Sequence, residues 1–198
     1  GTLSIILFSF FFIFLASKAD LKKKVLIIVL GLVAFFIILK AMPHMMDRFQ
    51  TFLNPDKDIL GTGYQLRQSK IAVGSGEFFG RGIGKSIQKF ENYLPEKISD
   101  SIFSIFAEET GFIGSLFLLS LLFFIIFRIF LLAKRSQDLF AKFVLIGIVA
   151  GFCFQITLNI ASSIGFFPLS GVPLPFFSKG GTNLILYMFE FGVIMNIS

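Results

Sequence analysis

The run FIGSLFLLSLLFFIIFRIFLLA at residues 112–133 decides the fold class. Crossing the hydrocarbon core of a bilayer takes about 20 apolar residues for roughly 30 Å, and this stretch is long enough. Its one charge, Arg128, lies near one end, where a long side chain can reach the interface. Further apolar stretches occupy residues 3–16, 25–42, 140–160 and 184–197. Lys40 closes the second of these, Gln155 and Asn159 sit one helical turn apart in the next, and Glu190 lies inside the last. Residues 3–16 are short for a span. They read as a cut span rather than a signal peptide, because no basic region precedes them and no small-residue cleavage site follows. The expectation is an all-α integral membrane protein, a polytopic transmembrane helix bundle forming one domain over residues 1–198.

Composition agrees. Of 198 residues, 55% are hydrophobic and 15% charged, against about 25% charged in soluble domains. Cys153 is the single cysteine and His44 the single histidine, so neither an internal disulfide, a thiolate cluster nor a polyhistidine metal site can form. The net charge of +6 does not point to nucleic acid, because the densest basic runs flank apolar segments. Lys18, Lys22, Lys23 and Lys24 outweigh Asp20 in one short turn, and Lys134, Arg135 and Lys142 outweigh Asp138 in another. Both turns fall on the same side of an alternating path, and the positive-inside rule makes that side cytoplasmic. A large extracytoplasmic loop over 43–100 then faces outward, together with the 165–183 connection. Loops of that length inside a compact protein are usually functional.

The loop opens with the turn-rich NPDKDILGTGYQ from Asn54, and Tyr64 to Val73 is expected to form a short helix too polar to span. Glycines follow at 74, 76, 80, 82 and 84. Backbone amides of such a run can cradle an anion, but the strand that precedes a nucleotide loop is missing. Lys85 and Lys89, four apart with Gln88 between, could place cations over a phosphate; the plainer reading is a solvated face. With a helix starting near Ser99, Asp100 falls in its first turn at the water–lipid boundary. There a carboxylate complements the helix dipole by up to about 1 kcal/mol. Glu108 and Glu109 lie two turns further in, where ionisable groups are costly and point to function or to a pair with Arg or Lys that holds the bundle together.

Several ordered motifs give the chain a resemblance. Arg48-Phe-Gln-Thr-Phe-Leu-Asn-Pro, Gly63-Tyr-Gln-Leu-Arg-Gln-Ser with Ala72-Val-Gly-Ser-Gly, and Gly82-Ile-Gly-Lys-Ser-Ile-Gln-Lys are followed by Leu94-Pro-Glu, Asp100 and Ala107-Glu-Glu-Thr-Gly-Phe-Ile-Gly. Near the end stands Gly165-Phe-Phe-Pro-Leu-Ser-Gly-Val-Pro-Leu-Pro-Phe-Phe-Ser-Lys-Gly-Gly. In this order the motifs resemble the SEDS family (shape, elongation, division and sporulation proteins of the FtsW, RodA and SpoVE type). Gly1-Thr2 fits the end of an upstream family motif, so the resemblance implies the C-terminal half of a protein of about ten spans. It departs from the pattern in places. Ile98-Ser99-Asp100 stands where the family has His-Thr-Asp, Lys179 replaces an aromatic in Ser-Tyr-Gly-Gly, and Ser170 replaces a Lys that division-type members often carry.

The resemblance implies a peptidoglycan glycosyltransferase that polymerises lipid II at the outer face of the bacterial inner membrane, in division or elongation. It makes Asp100 the essential acid. Deprotonating an acceptor hydroxyl needs one base, and a departing pyrophosphate needs positive groups. Arg48, Lys70, Lys85 and Lys89 are the candidates for that contact, with Gln65 and Gln88 for sugar hydroxyls or the peptide stem. Glu108, Glu109 and Lys179 are expected to support rather than react. No spacing fixes a metal site or a resident cofactor, although a carboxylate and a pyrophosphate could share a divalent ion, Mg or Mn. The implied partners are membrane lipid and a class B penicillin-binding transpeptidase, with no nucleic acid. Two other readings use the same features: a lipid II flippase, drawing on Gln155, Asn159 and Glu190, and a scaffold that only recruits the transpeptidase.

Overall fold

The computed structural model describes residues 2–17, 19–41, 43–54, 61–87, 102–178 and 181–197. Within them the chain is helical and contains no strand: α1 Thr2–Ala16, α2 Leu21–Ala41, α3 Pro43–Leu53, α4 Thr62–Ser75, α5 Ile102–Arg135, α6 Leu139–Ile164 and α7 Gly181–Ile197. By length and composition α5 and α6 can each cross a membrane, and α1 and α7 are shorter apolar helices. Their outward faces carry exposed Phe10, Phe117, Phe123, Ile185 and Phe189. Helices apolar on both faces belong in lipid, where the backbone satisfies its own hydrogen bonds.

α6 is the strut against which α1, α4, α5 and α7 pack. Its ends explain its limits. Asp138 caps the start by accepting hydrogen bonds from the amides of Phe140 (3.1 Å) and Ala141 (3.3 Å), as N-cap carboxylates do. Gly165 stops it in the left-handed conformation (φ 79°), the geometry that suits glycine. α1 approaches closely because α6 presents small residues there: a Cβ at Gly147 would lie 2.9 Å from Ile13, and one at Gly151 would lie 3.1 Å from Ser9. Phe8 stacks on Phe154 with ring centroids 4.2 Å apart. The basic turn after α1 is tied back by Lys24, whose ammonium donates to the Leu15 carbonyl at 2.7 Å.

Two cores result. Ile129, Ala133, Leu145, Phe152, Tyr187 and Ile194 join α5, α6 and α7, with Tyr187 donating to the Gln155 side chain at 2.8 Å. Phe103, Leu118, Leu122 and Leu174 join α5 to the connection after α6.

The segment 43–100 does not begin as a loop. Its first eleven residues form α3, which packs on α2 and α4. Pro43 suits a first helical position because its missing N–H would have had no acceptor. Met45, Met46, Phe49, Phe52 and Leu53 then recur at helical spacing. The polar residues between them hide that pattern from a search for spans.

Candidate functional site

The glycine-rich stretch after α4 folds over an interruption in α5. Gly111 (φ 69°, ψ −165°) breaks the helical backbone inside Ile102–Arg135, freeing carbonyls before it and amides after it. The loop supplies both kinds of partner. Arg81 and Gly82 donate their amides to the carbonyls of Glu108 and Glu109, each at 3.0 Å. The amides of Phe112 and Ile113 donate in turn to the carbonyls of Glu77 (2.9 Å) and Phe78 (3.2 Å).

Only glycines permit so close an approach. A Cβ on Gly111 would lie 2.3 Å from the Gly80 nitrogen, and one on Gly80 (φ 77°) would lie 2.2 Å from the Glu109 carbonyl oxygen. Gly111→Ala is therefore expected to separate loop from helix. The disfavoured backbone alone costs about 1–3 kcal/mol, and the displaced hydrogen bonds add to it. Thermal unfolding in detergent should show a clear loss for Gly111→Ala and none for Gly31→Ala on α2, where nothing stands within 4 Å.

Glu108 lies beneath this junction and is 1% exposed. Its carboxylate accepts hydrogen bonds from the Ser86 hydroxyl at 2.5 Å, from the Ile87 amide at 3.3 Å and from the Ser75 hydroxyl at 3.5 Å. The Arg81 guanidinium stands 3.9 Å away. One buried side chain thus fixes both ends of the glycine loop. Ser75, Arg81 and Ser86 are what sequence reading missed. A buried glutamate followed the composition, but nothing in spacing marks a serine 22 residues earlier as its partner.

Asp100, Gln88, Lys89 and Lys179 lie outside the described residues. The residues flanking 88–101 are described: Ile87 is held at the junction by Glu108, and Ile102 opens α5. Lys85 is exposed on the loop, its side chain passing Gly82. Glu109 is partly exposed and contributes its carbonyl.

The other cations turn elsewhere. Arg48 on α3 donates to the Leu169 carbonyl at 3.0 Å. The Lys70 side chain on α4 lies against Gly165, where an added Cβ would meet its Cε and Nζ. Gln65 sits in the first turn of α4, its amide donating to the Gly61 carbonyl at 3.2 Å. Arg48 and Lys70 therefore converge on the 165–169 stretch, and Lys85 belongs to the glycine loop. The buried Asn159 side chain donates to the Val172 carbonyl at 2.8 Å, which pins the same connection from α6.

A cavity of about 780 Å³ opens beside the junction, between α4, α5 and α6. Val73, Phe78, Phe103, Phe112, Leu119 and Ile160 are among its walls, and among the described residues Glu77 is the one charged side chain that lines it. From Gly111 to Leu119 it follows α5 for about 12 Å, taking a helical rise of 1.5 Å per residue. Such a space accepts hydrocarbon; among the described residues its polar side chains are Glu77 on the loop and Ser115, one turn past Gly111 on α5. Among the described residues no group of three His, Cys, Asp or Glu side chains could hold a metal ion.

Comparison with known proteins agrees along the whole chain. Residues 1–198 match the family model of cell cycle proteins of the FtsW, RodA and SpoVE type. Stage V sporulation protein E of Bacillus subtilis (strain 168) is 41% identical over 169 residues, covering 85% of this chain and 46% of that protein. The probable peptidoglycan glycosyltransferase FtsW of Enterococcus hirae is 40% identical over 199 residues, covering 94% and 50%. A solved chain described under the structural coordination of polymerization and crosslinking by a peptidoglycan synthase complex superposes with a TM-score of 0.75. It is 25% identical, over 98% of this chain and 54% of that one. The chain spans about half the length of the relatives it matches.

Proposed function

This chain belongs to the FtsW, RodA and SpoVE family of cell cycle proteins, and from that premise we propose that it is the catalytic part of a lipid II polymerase. The observation that carries the reading is the apolar cavity beneath the glycine loop. A lipid-linked sugar needs a hydrocarbon compartment for its tail and polar groups directly above it for its headgroup. The junction of α4 and α5 offers that arrangement, and relatives are named probable peptidoglycan glycosyltransferases.

In the reaction, Asp100 takes the proton of the acceptor sugar's 4-hydroxyl as that oxygen attacks the donor's anomeric carbon. The new glycosidic bond forms as the bond to pyrophosphate breaks, with inversion, and the lipid pyrophosphate leaves with the electron pair. Lys85, and Lys89 beside it in sequence, would meet that charge; Gln88 would hold a sugar hydroxyl. Glu108 keeps the loop seated on α5. The Arg48 and Lys70 contacts favour a supporting role for these two over direct pyrophosphate binding. The basic turns face the cytoplasm, so the protein is a multi-pass protein of the bacterial inner membrane with its 43–100 and 165–183 segments outside. A class B penicillin-binding transpeptidase is the fitting partner, by analogy with the related synthase complex.

Purified protein given lipid II in detergent should make glycan strands. No strands, together with movement of labelled lipid II across vesicle bilayers, would replace the polymerase with a flippase. Two of the polar residues a flippase would use in the bundle are engaged internally, Gln155 by Tyr187 and Asn159 by Val172.

A further inference from the structure

Phe79 is 83% exposed and Ile83 86%, and no large apolar side chain among the described residues is more open. Both lie on the turn between α4 and the Glu108 junction, not on a helix face. Their depth follows from α5. The apolar run from Phe112 to Ala133 has a length of about 33 Å at 1.5 Å per residue, matching a hydrocarbon core of about 30 Å. Lys134 and Arg135 mark one boundary, so Gly111 marks the other. The glycine loop is hydrogen-bonded to residues on both sides of Gly111, which holds it at that boundary. Phe78 reinforces the placement, its ring meeting that of the exposed Phe112 edge-on with centroids 6.2 Å apart. The exposed Lys85 follows within two residues of Ile83.

From this geometry we propose that the 78–85 turn is a membrane-interface anchor. Phe79 and Ile83 enter the acyl boundary of the adjoining leaflet, and the Lys85 ammonium lies at the level of lipid phosphates. Apolar side chains backed by a cation are suited to that boundary. The loop is joined to α5 through Glu108 and the backbone on both sides of Gly111, so the anchor sets the depth of that junction relative to the bilayer. The proposal stands on helix length and exposure, and holds whichever reaction the site performs.

The chain contains no Trp, so single reporters can be placed without background. Phe79→Trp and Ile83→Trp would be reconstituted into phosphatidylcholine vesicles brominated either near the carbonyl end or near the methyl end of the acyl chain. Phe117→Trp, on the lipid-exposed face of α5, serves as the deeper reference. The expected result is quenching of Phe79→Trp and Ile83→Trp at least twofold stronger with the shallow bromines than with the deep ones, with a blue-shifted emission. Phe117→Trp should favour the deeper bromines. Water-like emission quenched by aqueous iodide would overturn the proposal in favour of a solvated loop. Blue-shifted emission insensitive to both bromine and iodide would also overturn it, showing the turn covered by protein.

Discussion

Replacing Asp100 with Ala is expected to abolish glycan-strand synthesis while the protein still inserts and unfolds like the parent. The size of the loss follows from the chemistry. A sugar hydroxyl is a weak nucleophile, and its proton must leave as the new bond forms; a positioned general base is worth roughly 10² to 10⁴ in rate. Lipid pyrophosphate departs readily, so no second carboxylate is required to form a glycosyl-enzyme intermediate. Losing the one base should therefore remove most of the catalysis. Asp100→Asn keeps the shape and loses the basicity, so it should be as inactive as Asp100→Ala. Asp100→Glu should recover part of the rate. The measurement is polymer length and yield from lipid II in detergent, with thermal unfolding in parallel. Strands made by Asp100→Asn at the parental rate would move the base elsewhere, and Glu109 would be the next residue to test.

The parts of this molecule that hydropathy controls were legible in the sequence. Residues 112–133 mark the apolar part of α5 because lipid imposes one rule on every position, and the break falls at Gly111, just outside that run. α3 escapes a search for spans because it is only eleven residues long and polar residues interrupt its apolar ones. The site was harder. Positive charge in the outer segment makes Arg48 and Lys70 candidate anion ligands, but the direction of a long side chain depends on neighbours distant in sequence. Arg48 reaches a carbonyl 121 residues away, and Lys70 lies along Gly165. Asn159 and Gln155 looked like a polar path through the bundle; each makes a local fastening instead.

Glu108 shows which kind of interaction holds the glycine loop. Glu108→Leu is expected to destabilise the protein by about 2–4 kcal/mol, and Glu108→Gln by less than about 1.5 kcal/mol. Leucine fills most of the volume and accepts nothing. The fully buried Ser86 hydroxyl loses its 2.5 Å bond to a carboxylate, and a hydrogen bond to a charged group is worth about 1.5–3 kcal/mol. The Ile87 amide and the Ser75 hydroxyl, on more accessible residues, add smaller amounts. Glutamine keeps a carbonyl oxygen for the Ile87 amide, and its NH2 can donate to Ser86. What it forfeits is the attraction to Arg81, at 3.9 Å from a guanidinium whose side chain is 39% exposed. Such a pair is screened by water and worth about 1 kcal/mol or less. Unfolding of the two variants in detergent separates the contributions. If Glu108→Gln falls as far as Glu108→Leu, charge rather than hydrogen-bond geometry holds the loop. If the order is as expected, the same order should appear in polymer yield, because Ile87 leads directly into the segment that carries Asp100.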